Sequence, residues 1–269
     1  MANLKVFVSS TCYDLNIVRG QLRTFITDIG YEPVMSDYND VLYDPRSHTH
    51  ESCIKEIQSA DMVILIIGSR FGGKAIPKAI ESVDISSLKD ASKSPKFLED
   101  SDISVTQLEV LKAIELEIPI FTFIDGKVAH DHLFYEKNKS KKGFLKGVEF
   151  PSIDKTETAV FIFEFINFIR HRTKNNSIVE FAKYDDIKDF LKRQWSALFQ
   201  RLLFEQKTKK AEMRRFDFLT SQLTDIKTTL LTSITNSDLK ETARGAIKFR
   251  RLIDFVSGIA LEQQNDILL

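Results

Sequence analysis

Apolar residues follow two rhythms along the first half of this chain. Short runs that are apolar at nearly every position alternate with stretches where apolar residues recur every three or four positions. Lys5-Val6-Phe7-Val8 opens the series and predicts a buried strand. Leu15, Val18, Leu22, Phe25 and Ile29 follow at helical spacing, and Gly30 stands where such a helix would stop. YEPVM predicts a second short strand, and residues 49–59 a helix presenting Cys53, Ile54 and Ile57. MVILIIG, at 62–68, is apolar on both faces, which predicts a strand covered on both sides. SVTQLEVLKAIELE predicts a helix with Leu108, Leu111 and either Ala113 or Ile114 inward, and IPIFTFID another buried strand.

The segments between are less regular. Residues 74–103 are polar and rich in Ser, Lys and Asp, which predicts an irregular loop. Residues 126–146 are basic and polar and read as a surface insertion. VFIFEFINFIRH is so apolar that periodicity does not choose between helix and strand. SIVEFA, at 177–182, and the following DDIKDFLKRQWSALFQRLL predict a last strand and helix. Alternating strands and helices imply a parallel sheet with helices on both faces. The expectation is an α/β, flavodoxin-like, five-stranded domain over 1–204, with insertions near 74–103 and 126–176.

From about Glu205 the pattern changes. Phe216, Leu219, Leu223, Ile226 and Leu230 alternate by three and four, a short heptad seam. Asn236-Ser237-Asp238 interrupts it, and Ile247, Leu252, Phe255, Val256 and Ile259 mark a second helix. Residues 205–269 therefore read as a helical hairpin. It either packs on its own domain or serves as an oligomer or partner interface. Five seam positions fall short of the heptads that would decide it.

Composition narrows the function classes. Lys plus Arg and Asp plus Glu are 38 each, so no net field points to nucleic acid or a membrane surface. The only cysteines, Cys12 and Cys53, argue against a disulfide framework and fit a reducing cytoplasm. MANLKVFVSS has no apolar leader core, and no apolar run reaches membrane length.

The candidate chemistry gathers where strands end. Ser9-Ser10-Thr11 closes the first strand and Gly68-Ser69-Arg70-Phe71 the third. In a flavodoxin-like order these ends flank one crevice outside the sheet. Helix starts there favour anions, and Arg70 suits a phosphate. Each stretch also has a plain structural reading. Thr11-x-x-Asp14 is capping-box-like, and GSRFGG is a turn. Glu109 lies near the start of the next helix. If Ser104 caps that helix with Gln107 reaching back, Glu109 is free; if Thr106 caps it, Glu109 is the capping carboxylate. A free carboxylate beside a ribose can stabilise an oxocarbenium-like transition state. His48-x-His50 and His130-x-His132 lack companion ligands at metal spacing and read as exposed loop residues, so no metal site is assigned. Cys12 at a helix start would have a depressed pKa as a nucleophile, but no histidine lies near it in sequence. There is no P-loop pattern, and the basic run at 137–146 reads as a solvated loop.

VFVSSTCYDL, ADMVILIIGSRFGG and SVTQLEVLKA before IPIFTFID together resemble a bacterial TIR-like family found at the N-termini of NACHT-type NTPases and of anti-phage defence proteins. The likeness covers roughly residues 4–125, with SIVEFAKYDDIKDFLKRQW as the closing strand and helix. The chain departs from the family's usual pattern at Cys12, at Gln107-Leu108 and in the long loop 74–103. The resemblance implies one of two functions: NAD+ glycohydrolase or cyclase, or non-catalytic assembly module. It carries the catalytic glutamate onto Glu109 and brings Ser9, Ser10 and Arg70 over as pocket lining; the strand-end topology adds Thr11, Gly68, Ser69 and Phe71 to the expected nucleotide site. NAD+ is then substrate and no resident cofactor is implied. A nucleotide sensor related to nucleoside deoxyribosyltransferases is a further alternative. An activating oligomer or partner contact would lie in 205–269.

Overall fold

Five strands form one all-parallel sheet in the order β2-β1-β3-β4-β5. They are β1 Lys5–Ser10, β2 Glu32–Val34, β3 Met62–Ile67, β4 Ile120–Asp125 and β5 Ile178–Phe181. The computed structural model describes residues 3–99, 102–141, 143–144 and 147–233, with the single positions 241, 245 and 249. The helices, in chain order, are α1 Asn16–Asp28, α2 Thr49–Ile57, α3 Pro77–Ile80, α4 Ile85–Leu88, α5 Val105–Glu115, α6 Gly126–Asn138, α7 Ala159–Arg170 and α8 Tyr184–Ser233. This is the α/β, flavodoxin-like arrangement. Its strand order reverses between β1 and β3, which pair from Val6↔Met62 to Ser10↔Ile66.

The pleat divides the core in two. On β3, Val63, Leu65 and Ile67 face a layer built by α2, α5 and α7. Met62, Ile64 and Ile66 face α1 and the start of α8, where Leu22, Ile26, Leu191 and Trp195 pack. That is why MVILII is apolar throughout: every position meets a helix layer. The α1 helix ends as its sequence suggests. Gly30 adopts φ +83°, Gly30 N–H donates to Thr27 O and Tyr31 N–H to Ile26 O, a closing pattern an L side chain at Gly30 would strain.

Three local expectations are corrected. Residues 74–103 are not irregular throughout: α3, α4 and two 3-10 turns, Lys89–Ala91 and Pro95–Glu99, occupy much of the segment. Residues 126–146 are not a surface insertion. Most of the segment is α6, which buries Val128, Ala129, His132 and Tyr135. Nor is the start of α1 closed by a Thr11/Asp14 capping box. Leu15 is the N-cap residue, without a side-chain cap. The undecided VFIFEFINFIRH segment is helix α7, buried on most of its circumference.

The chain divides into two compact units, Met1–Trp195 and Ser196–Leu269. In the second, Phe216, Leu219 and Leu223 are exposed. The side chains of Ile226 and Leu230, and the second helix of the expected hairpin, lie outside the described residues. Among the described residues, no helix is long and apolar enough to cross a membrane.

Candidate active site

Strand alternation separates the two serines that end β1. Phe7 faces the α5 side of the sheet, while Val6 and Val8 face the α1 side. Ser9 and Ser10 continue that alternation. Ser9 Oγ donates to Glu109 Oε2 at 2.6 Å, and Ser10 Oγ accepts from Arg19 Nη1 of α1 at 2.6 Å. Arg19 is 1% exposed, pairs with Asp37 and also donates to Val8 O. Burial works against its charge, but the bond to Asp37 holds its pKa above the ordinary value.

The start of α5 decides what Glu109 is free to do. Ser104 is the N-cap residue, and its Oγ accepts from Gln107 N–H at 3.2 Å. Gln107 Oε1 returns the bond to Ser104 N–H at 2.9 Å. This reciprocal pair satisfies the helix terminus without Glu109. Glu109 lies two residues further on, 6% exposed and bonded across to Ser9. Burial raises its pKa to about 7, while the Ser9 hydroxyl and the Arg19 charge pull the other way.

Glu109 forms part of the wall of a cavity of about 520 Å³ at the carboxyl ends of the strands. Of the residues expected there, Ser10, Thr11, Arg70 and Phe71 line it. Ser9 stands behind Glu109 rather than in the wall. Gly68 and Ser69 instead border a separate hollow of about 240 Å³ with Asp14 and Asp125. Asp14 Oδ2 accepts from Ser69 N–H at 2.9 Å, tying the β1 end to the β3 end. A Cβ on Gly68 would lie 2.5 Å from that oxygen, so only glycine leaves this tie in place. The cavity wall also includes Tyr43, His50 and Cys53, which sequence reasoning did not place there. A signal existed: in a 2-1-3-4-5 sheet the chain leaving β2 emerges at the same end as β1 and β3.

The sequence model of a family described as "Domain of unknown function (DUF4062)" matches residues 5–196. The chain belongs to this family. The matched stretch contains every residue of the cavity. Comparison with curated proteins finds no match, and comparison with solved structures finds none either.

Burial within the DUF4062 cavity favours the neutral forms of Glu109, Cys53 and Cys12. Burial pushes the Cys53 thiol up to about 12, and the nearby Glu109 charge adds to this. Cys12 is also raised, first by burial, contrary to a helix-start nucleophile. Nor does a helix start offset that burial, because α1 begins only at Asn16 and Cys12 lies outside its first turn. The histidine pairs are only partly the exposed loop residues expected: His48, before α2, and His130, on α6, are exposed, but their companions are not. His48 caps α2, His50 is half-buried in the cavity wall, and His132 is fully buried on α6, bonded through Nε2 to Asn167 at 2.9 Å.

Proposed function

We propose that this DUF4062 domain is a TIR-like NAD+ glycohydrolase in which Glu109 acts on the nicotinamide ribose. The single observation that carries the reading is a carboxyl group, not used as a helix cap, in the wall of a cavity large enough for a nucleotide. The chemistry follows from the residues. The C1′–N bond breaks and its electron pair leaves with nicotinamide. Positive charge develops on the ribose, and the ionised Glu109 carboxylate offsets it in a poorly solvated site. Water then adds at C1′, loses a proton and gives ADP-ribose. Ser9 is a positioning residue: its hydroxyl fixes Glu109 Oε2 and favours the charged form. The TIR-like resemblance supports a setting in cytoplasmic anti-phage defence by NAD+ depletion. Such an activity must stay silent until assembly or a partner switches it on, and the helical segment 205–269 is the candidate contact.

The second reading, a non-catalytic assembly module, draws on the exposed Phe216, Leu219 and Leu223 of α8. Chromatography of nicotinamide and ADP-ribose after incubation with NAD+ separates the two. Release that disappears in Glu109→Ala at unchanged mass by light scattering supports the enzyme. An assembled wild-type sample that releases nothing refutes it and leaves the module.

A further inference from the structure

At the cavity wall, Arg70 Nη1 lies 3.5 Å from Asp154 Oδ2, with the two side chains 37% and 43% exposed. Arg70, Asp154 and the adjacent Lys155 all line the cavity that holds Glu109. The segment carrying Asp154 is tied independently to the β3 end, because Asp154 N–H donates to Ser69 O at 3.0 Å. The Arg70 guanidinium lies over the Tyr13 ring, 5.3 Å from its centroid. An ion pair this open to solvent is held weakly. A phosphate oxygen pair offers the guanidinium a bidentate, charge-assisted partner that a single Asp154 oxygen does not.

We propose that Arg70 and Lys155 form a diphosphate subsite, and that Asp154 is the internal anion a diphosphate ligand displaces from Arg70. The cavity then selects dinucleotides and other nucleoside diphosphate derivatives over bare nucleosides. A nucleoside would leave the ion pair intact and gain nothing from either cation. The inference deepens the glycohydrolase reading and rests on it for the identity of the substrate, but binding alone tests it.

A simple structural latch makes a different forecast. If the pair only holds the two segments together, removing either partner has the same effect. If it is an anion site with a built-in competitor, the two removals act in opposite directions. Calorimetric titration of the full chain with ADP-ribose and with adenosine distinguishes them. The wild type should bind ADP-ribose more tightly than adenosine. Arg70→Ala should weaken ADP-ribose binding roughly ten- to a hundred-fold and leave adenosine unchanged. Asp154→Asn keeps the backbone bond to Ser69 and should tighten ADP-ribose binding. Equal, same-sign changes in the two variants would overturn the subsite, as would equal affinity for both ligands or binding of neither. Parallel assays of nicotinamide release keep the two ideas apart. Selective ADP-ribose binding by an assembled sample that releases no nicotinamide refutes the enzyme and leaves the subsite. Release from NAD+ that is insensitive to Arg70→Ala refutes the subsite and leaves the enzyme.

Discussion

Replacing Glu109 by glutamine should make the fold more stable at neutral pH, and by an amount that depends on pH. The ordinary value for this carboxyl is 4.5, and burial raises it to about 7. Between those values the folded protein holds a proton that the unfolded chain has released. Stability therefore falls as pH rises through that window and stays lowered above it. A rise from 4.5 to about 7 spans about 2.5 pH units, which at ~1.36 kcal/mol each gives about 3 kcal/mol. Glutamine cannot ionise, yet it keeps the shape and an oxygen that accepts from Ser9. The advantage of Glu109→Gln over wild type should be smallest at about pH 4.5 and greatest above about pH 7. Thermal melts across this range should show the gap in Tm widening by roughly 6 to 12 °C. A gap that stays constant with pH would refute the reasoning, because it would mean that Glu109 titrates like a solvated carboxylate. The test needs no substrate, so it examines the site apart from any activity.

Other consequences follow from neighbouring contacts. Arg19→Ala leaves Asp37 and Ser10 without their buried partner and should cost about 3 to 5 kcal/mol in urea unfolding. His132 is buried and its pKa is depressed, first by burial, so the unfolded chain binds the proton more readily below the ordinary 6.5. Stability should rise with pH through the interval just below that value, and His132→Gln should flatten that slope in pH-dependent melts. If exposed Leu219 and Leu223 carry assembly, replacing both by lysine should lower the mass by light scattering and nicotinamide release together. Loss of mass with release intact would separate activity from assembly.

The legible parts of this molecule were those where each position faces a single kind of environment. MVILII meets a helix layer on both sides, and the helical spacing from Leu15 to Phe25 matches one buried face, so their patterns translate directly. The strand-end crevice followed from topology, which brought Ser10, Thr11, Arg70, Phe71 and Glu109 to one cavity. Whether Glu109 caps its helix was not legible, because Ser104 and Thr106 are both competent caps and only the folded helix start discriminates. Helix α6 was hidden by the lysine-rich run that follows it and by its own inward face, where His132 and Tyr135 carry polar atoms into a buried network with Asn167 and Glu164. Between 74 and 103 the helices are a single turn long, too short for periodicity to register. The place of Asp154 and Lys155 in the cavity wall was invisible because they reach it from a segment far along the chain from β1 and β3.

The most direct test of the central claim is the pH dependence of kcat/KM for nicotinamide release from NAD+, from about pH 5 to about pH 9, with Ser9→Ala and Glu109→Ala alongside. In the proposed mechanism the ionised carboxylate is the active form, so release should fall as pH drops below about 7, the value to which burial raises Glu109. Without the Ser9 hydroxyl the charged form loses a stabilising bond, so the acid limb should move to higher pH. Glu109→Ala should show no release at any pH. Release that persists in Glu109→Ala, or a wild-type profile flat across that range, would contradict the account.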